Sequence, residues 1–322
     1  MGADAPDADV HVDADLVRAL LVAQHPDLLG ADGAEPIVEV ASGWDNAVFR
    51  LGDRAAVRMP RRALAAGLVA GEQRWLPQLA ERLPVPIPAP LRAGRPGAGY
   101  PYAWSVVHWL EGADGASVPP AARGGAAGDL AAFCAALAVP APADAPANPY
   151  RGVPLAERDA VIRERLGAIG SAGLLAADDL GLLLEVWSDA LAAPARSGPA
   201  VWVHGDLHPA NLLLEETPGG ASVRLAAVLD FGDLTAGDPA TDLATAWLTF
   251  DAEGRARFRA AIDRATATDA SDWRRARGWA VAFGAAILAT VGDQGRIGRI
   301  GAHALAEVLA EARGIRSSPA DR

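Results

Sequence analysis

The residues best suited to chemistry are His204, Asp206, His208 and Asn211 in the stretch HGDLHPAN, followed downstream by Asp230 in a DFG triplet. Phosphoryl transfer from a nucleotide needs one carboxylate to orient and deprotonate a hydroxyl. It also needs an amide and a second carboxylate to hold magnesium against the nucleotide phosphates. Asp206, Asn211 and Asp230 supply those groups in that order. An HxDxxxxN run joined to a DFG is far more specific than either fragment alone.

These groups need elements to hold them. Asn211 opens an apolar run over 212–214, and Asp230 follows another over 222–229, with Thr217, Pro218, Gly219, Gly220 and Ala221 between them as a turn. An antiparallel hairpin with Asn211 opposite Asp230 requires a turn centred between Gly220 and Ala221, beside the Gly-Gly pair. The two ligands would then lie side by side at the open end of the hairpin and share a cation. Upstream, Val201, Trp202 and Val203 read as a short buried strand delivering residues 204–210 as a loop, so that Asp206 projects from a rigid support.

His204, Asp206 and His208 also form an HxDxH cluster, which opens a metal-hydrolase reading. The other four histidines, His11, His25, His108 and His303, are scattered without ligand spacing. Mg2+ prefers oxygen ligands, which favours Asn211 and Asp230 over zinc held by imidazoles. His204 is expected to pack and hydrogen-bond the loop, while His208 is open to either role.

The pattern resembles the aminoglycoside phosphotransferase family of antibiotic kinases, whose members have a protein-kinase-like fold. Asp233 and the later run Gly237-Asp238-Pro239-Ala240-Thr241-Asp242-Leu243-Ala244 look like the second half of that family's signature. The resemblance implies Asp206 as catalytic base, Asn211 and Asp230 as metal ligands, and Asp242 as a support of the catalytic loop. From the residues alone, Asp238-Pro239 reads as a helix start, an N-cap followed by proline in the first turn.

The amino-terminal part alternates short apolar runs with turns over 37–41, 47–51 and 55–59, a three-stranded antiparallel meander. Its first turn, 42–46, takes the place of a phosphate-covering loop. It contains only Gly43 and lacks the G-x-G-x-x-G spacing, so Ser42 to its end is open to phosphate contact or to being a plain hairpin. Where the kinase pattern has a nucleotide-binding lysine, this chain has Arg58. All 29 basic side chains counted as Lys plus Arg are arginines, so arginine carries every such cationic task. The run Arg58-Met59-Pro60-Arg61-Arg62 is similar to one in the macrolide-kinase branch.

Residues 64–82 read as a helix whose apolar face carries Leu68, Trp75, Leu76 and Leu79, continuing to Leu83. Glu72 falls on that stripe, where a carboxylate needs a partner, and Arg58 is the expected one. Residues 83–90 alternate with proline as an extended linker, and 100–110 read as a strand. By resemblance, Val107 to Trp109 form the hinge that meets the nucleotide base; Trp109 is equally open to packing.

At 322 residues the chain is long enough for two lobes, expected at 1–109 for the nucleotide and 110–322 for the catalytic loop and acceptor pocket. The expected fold is α+β: a small antiparallel sheet with one helix, then a large, mainly helical lobe. Cys134 is the one cysteine, which excludes an internal disulfide. The net charge of −11 argues against nucleic acid and suits a cationic acceptor. The N-terminus lacks the basic and apolar regions of a secretory signal, and the longest apolar run, 279–291, is too short for a membrane span, so cytoplasmic placement is expected.

Helices are expected at 125–139, 154–169, 176–193, 241–250, 252–265, 272–291 and 300–312. Arg151-Gly152-Val153-Pro154-Leu155 resembles a segment in actinobacterial members of the family. The family builds its acceptor pocket from helices around the catalytic loop, which here makes Glu157, Asp159, Asp178, Asp179, Asp233, Trp279 and Asp293 candidate acceptor contacts. The expectation is a Mg2+-dependent kinase that moves the γ-phosphoryl group of ATP or GTP to a hydroxyl of an antibiotic. A metabolite kinase acting on an amino alcohol or sugar, and a nucleotide-binding protein without catalysis, are the alternatives.

Overall fold

Capping, alternation and amphipathic spacing organise the chain into two units, Met1–Glu111 and Gly112–Arg322, in a computed structural model that describes residues 8–30, 32–42 and 46–316. The first unit opens with helix α1 (Ala14–Gln24), whose cap Asp13 accepts the Leu16 N–H. It buries Val17, Leu20 and Leu21 in one core with Phe49, Val57, Met59, Tyr100 and Trp104. This helix was not anticipated from the sequence.

Strands β1 (Ile37–Ser42), β2 (Asn46–Leu51) and β3 (Ala55–Pro60) form the expected meander. In β2 burial alternates strictly, with Ala47, Phe49 and Leu51 inward. After helix α2 (Ala63–Ala80), strands β4 (Pro90–Gly94) and β5 (Trp104–His108) complete an antiparallel sheet in the order β1-β2-β3-β5-β4. The prolines of 83–90 therefore lead into an edge strand, where a missing N–H is tolerated. In α2 the buried residues are Ala65, Val69, Glu72, Trp75, Leu76 and Leu79, with Leu83 buried just beyond the helix. Of the expected apolar face only Leu68, 40% exposed, turns outward, and Glu72 remains on the buried side.

The second unit is mainly helical. It contains β6 (Ala113–Asp114), α3 (Ala127–Leu137), α4 (Asp159–Ser171), α5 (Ala177–Leu191) and β7 (Val201–Val203). Strands β8 (Leu212–Glu216), β9 (Val223–Val228) and β10 (Thr235–Gly237) follow. The chain ends in α6 (Ala240–Leu243), α7 (Thr245–Thr249), α8 (Ala252–Ala265), α9 (Ala270–Val291) and α10 (Gly295–Arg316). One sheet has the order β6-β8-β9, and β10 pairs antiparallel with β7. The helix expected over 241–250 is two short helices. The last helix starts earlier than expected, and it packs closely on α9: a Cβ on Gly301 would lie 2.7 Å from Ile287.

Candidate active site

Three buried residues of β7 end at His204, and from there the chain runs as a loop to β8. Asp242, in α6, holds the start of that loop: Oδ2 accepts the His204 N–H at 2.7 Å and Oδ1 the Gly205 N–H at 2.9 Å. Gly205 adopts φ +86°, and a Cβ there would sit 2.4 Å from the Asp233 carbonyl oxygen. Only glycine lets the loop pass so close to the segment after DFG. Burial raises the Asp242 pKa, against the His204 ring and the two N–H donors.

His204 is fully buried. Its Nδ1 accepts the Asp206 N–H at 3.2 Å, which fixes the tautomer with the proton on Nε2, and Nε2 donates to the Leu229 carbonyl at 2.9 Å. Its ring lies 4.6 Å from that of Phe231, the middle residue of DFG, which packs on Phe133. Both nitrogens of His204 are thus engaged in the scaffold, which removes it from the metal-ligand role in the HxDxH alternative. Among the described residues no three His, Cys, Asp or Glu side chains gather as a metal cluster.

The Asp206 carboxylate is partly exposed and has two distinct oxygens. Oδ2 lies 3.3 Å from both His208 Nε2 and Asn211 Nδ2, whereas Oδ1 faces Arg151, with Nη2 at 3.7 Å. Burial pushes the Asp206 pKa up, but His208, Arg151 and His204 outweigh it and hold the carboxyl well below the usual range. The same pairing raises the His208 imidazole against its burial. Asp206 is therefore a fixed carboxylate at neutral pH, able to accept a hydrogen bond from a hydroxyl at Oδ1.

The hairpin differs from the expected register. Leu212 pairs with Val228 and Leu213 with Ala227, a bulge follows, and beyond it Leu214 pairs with Leu225 and Glu216 with Val223. Asn211 accordingly meets Leu229, whose N–H donates to its carbonyl at 2.8 Å, and not Asp230. The bulge takes up one residue, and Asp230 leaves the strand in the left-handed region at φ 59°. Asp230 is exposed, with Oδ1 3.3 Å from the Gly232 N–H. Asn211 donates Nδ2 to the Asp206 carbonyl at 2.8 Å, which turns its amide so that Oδ1 is the oxygen left for a cation. An amide oxygen and an exposed carboxylate, one residue apart across the hairpin end, are the hard oxygen donors that Mg2+ takes.

In the first unit, Arg58 on β3 donates Nη1 to Glu72 Oε2 of α2 at 2.7 Å, with both side chains largely buried. Ser42 ends β1 and pairs with Ala47; the turn residues Gly43, Trp44 and Asp45 lie outside the described residues. Val107 is 3% exposed and pairs with Ala56 on one side and Pro90 on the other, so its side chain is packed inside the sheet. The Trp109 N–H is given to the Arg54 carbonyl at 2.8 Å, and Arg50 covers its ring at 4.6 Å.

The candidate acceptor contacts separate. Asp233 lies beside Asp206 in sequence-distant fashion: its Oδ1 accepts Asn148 Nδ2 at 2.6 Å, and Arg151 Nε is 3.8 Å from its Oδ2. Burial raises its pKa, with Arg151 opposing. Asp159 is instead taken up in structure, accepting Trp187 Nε1 and Arg163 Nε, each at 2.7 Å. Glu157 is exposed in the turn before α4, as part of a 3-10 segment. Trp279 is 1% exposed in the interior of α9, packed in the core, which does not fit the acceptor contact expected of it. Sequence reasoning gave no site role to Asn148 and Arg151, which lie in the irregular segment between α3 and α4.

A family model described as the phosphotransferase enzyme family (APH) matches residues 36–279. No curated protein matches the chain. Among solved structures, the chain is similar to the GDP complex of wild-type aminoglycoside 2'-phosphotransferase-IIIa, with TM-score 0.62, 18% identity and coverage of 93% of this chain and 99% of that one. It is similar to the apo macrolide 2'-phosphotransferase MphH from Brachybacterium faecium, with TM-score 0.56, 22% identity and coverage of 91% and 98%. The streptomycin and ATP ternary complex of APH(2")-IIa has TM-score 0.55, 17% identity and coverage of 85% and 90%. These neighbours share the kinase-like α+β fold, a sheet-bearing N-lobe and a helical C-lobe. With the family model spanning most of its length, the chain belongs to the APH phosphotransferase enzyme family and is a phosphotransferase.

Proposed function

We propose that this phosphotransferase is an antibiotic kinase, moving the γ-phosphoryl group of ATP or GTP to a hydroxyl of an aminoglycoside-like or macrolide acceptor. The observation that carries the reading is the Asp206 carboxylate, with Oδ2 held by His208 and Asn211 and its loop braced by Asp242. Nucleotide and antibiotic complexes among the structural neighbours support the choice of substrates. In the step, the acceptor oxygen bonds to the γ-phosphorus as the bond to the β,γ-bridging oxygen breaks. The hydroxyl proton passes to Asp206, and the nucleoside diphosphate leaves.

Asn211 and Asp230 are the residues that would hold Mg2+, which when bound neutralises phosphate charge. Arg58, braced by Glu72, binds phosphate, and residues around Trp109 receive the base. On this reading residues 1–109 serve the nucleotide and 110–322 the acceptor. Asp233 contacts the acceptor, Ser42 contacts phosphate, and the enzyme works in the cytoplasm. Among the described residues no helix is long and apolar enough to cross a membrane.

The test is a panel of kanamycin, gentamicin, streptomycin and a macrolide, incubated with ATP and GTP in parallel and read by mass spectrometry. A phosphate ester of one of them is expected. Esters only of an amino alcohol or a monosaccharide included as controls would replace this reading with a metabolite kinase.

A further inference from the structure

Arg151 occupies a position that the phosphoryl-transfer chemistry above leaves unexplained. Its backbone is fixed on both sides. Asn148 donates to Asp233 and takes the Tyr150 N–H on its Oδ1 at 2.8 Å. Gly152, at φ +68°, donates to Thr241 Oγ1 at 3.2 Å and accepts the Asp238 N–H at 2.9 Å. The side chain is pinned as well, since its guanidinium carbon lies 4.5 Å from the centre of the Phe283 ring in α9.

A guanidinium so firmly held could have closed a bidentate pair with either neighbouring carboxylate. It does not. Nη2 stands 3.7 Å from Asp206 Oδ1 and Nε 3.8 Å from Asp233 Oδ2, both beyond hydrogen-bond range, and the buried Nε has no hydrogen-bond partner among the described residues. A buried donor without a partner is costly, and at a functional site it marks a place for a group that arrives later. The geometry also says where that group arrives. With Oδ2 of Asp206 taken by His208 and Asn211, a hydroxyl must bind at Oδ1, which brings its neighbouring atoms against the Arg151 fork.

We infer that Arg151 is an acceptor-binding residue that donates to a second oxygen vicinal to the reacting hydroxyl, and so selects acceptors in which that hydroxyl belongs to a 1,2-diol, a sugar ring or a hydroxy-ether. The inference rests on Asp206 receiving the acceptor hydroxyl. It adds a chemical requirement that holds whether or not the acceptor is an antibiotic. Lysine would supply charge without the planar fork, so charge alone does not satisfy it.

The experiment compares transfer to ethylene glycol and to ethanol at equal concentration, with nucleotide hydrolysis as the internal reference, in wild type, Arg151→Lys and Arg151→Met. Wild type is expected to prefer the diol. Both variants should lose that preference by about tenfold, with the nucleotide KM and the unfolding midpoint of Arg151→Lys unchanged. An equal diol-to-alcohol ratio in wild type and both variants overturns the inference. So does a fall of both alcohol reactions and hydrolysis in the same proportion, which would make Arg151 a support of Asp206. Neither result depends on the antibiotic panel, so failure of the antibiotic reading is seen separately.

Discussion

Replacing Asp242 by Asn tests whether the catalytic loop is held in place by one buried side chain. The wild-type carboxylate accepts two backbone N–H groups, from His204 and Gly205, and is 4% exposed. Asparagine keeps the shape but offers one oxygen and one NH2, so one of the two N–H groups faces another donor. The loss is one hydrogen bond to a charged group, worth about 1.5–3 kcal/mol, plus about 1 kcal/mol or more for the stranded N–H. Relief of the carboxylate's own burial, which raises its pKa, returns part of this, leaving a net cost on the order of 2–3 kcal/mol. At about 2 cal/mol/K of unfolding entropy per residue, that cost lowers the thermal midpoint by roughly 3–5 °C. The larger effect falls on turnover, because residues 204 and 205 immediately precede Asp206; kcat should drop by about 10- to 100-fold with nucleotide affinity kept. Calorimetric unfolding and steady-state turnover read both. A variant with wild-type kcat and midpoint would refute the brace.

The remaining predictions probe other parts. Gly205→Ala puts a Cβ 2.4 Å from the Asp233 carbonyl at φ +86°, so it should cost about 2 kcal/mol or more and at least about tenfold in kcat, measured by unfolding and turnover. Glu72→Gln removes the charge facing Arg58, so the nucleotide KM should rise by about tenfold while acceptor KM stays near wild type. His303 is held neutral by burial, with its ring on the Phe250 carbonyl, so its folded pKa lies below its unfolded one. A neutral form favoured by folding contributes full stability above the unfolded pKa, about 6.5, and loses it as pH falls through the folded pKa. The thermal midpoint should therefore decline on acidification below neutrality, and His303→Gln should decline less over that window.

The hairpin shows how far the sequence could be read and where it stopped. The strands, the turn and the loop from β7 were visible in apolar runs and in Gly219-Gly220, because alternation and turn chemistry are local. The register was not: the strands close on a turn centred between Gly219 and Gly220, one residue earlier than expected, and the bulge after Leu213 recovers only one of the two positions this costs, so Asn211 meets Leu229 and not Asp230. Glu72 was legible because a carboxylate on an apolar stripe demands a cation. The site role of Arg151 was not: an arginine in an irregular segment carries no periodicity, and only the fold brings it within 4 Å of Asp206 and Asp233. Trp279 misled because an aromatic on an acceptor-side helix reads the same from sequence whether it faces a ligand or the core.

The central claim is that Asp206 is the base for the acceptor hydroxyl, and Asp206→Asn tests it most directly, with nucleotide affinity measured by calorimetry on the same preparation as turnover. The account predicts a fall of about 10²- to 10⁴-fold in kcat with the nucleotide Kd within about threefold of wild type. Turnover that survives the substitution undiminished would contradict it.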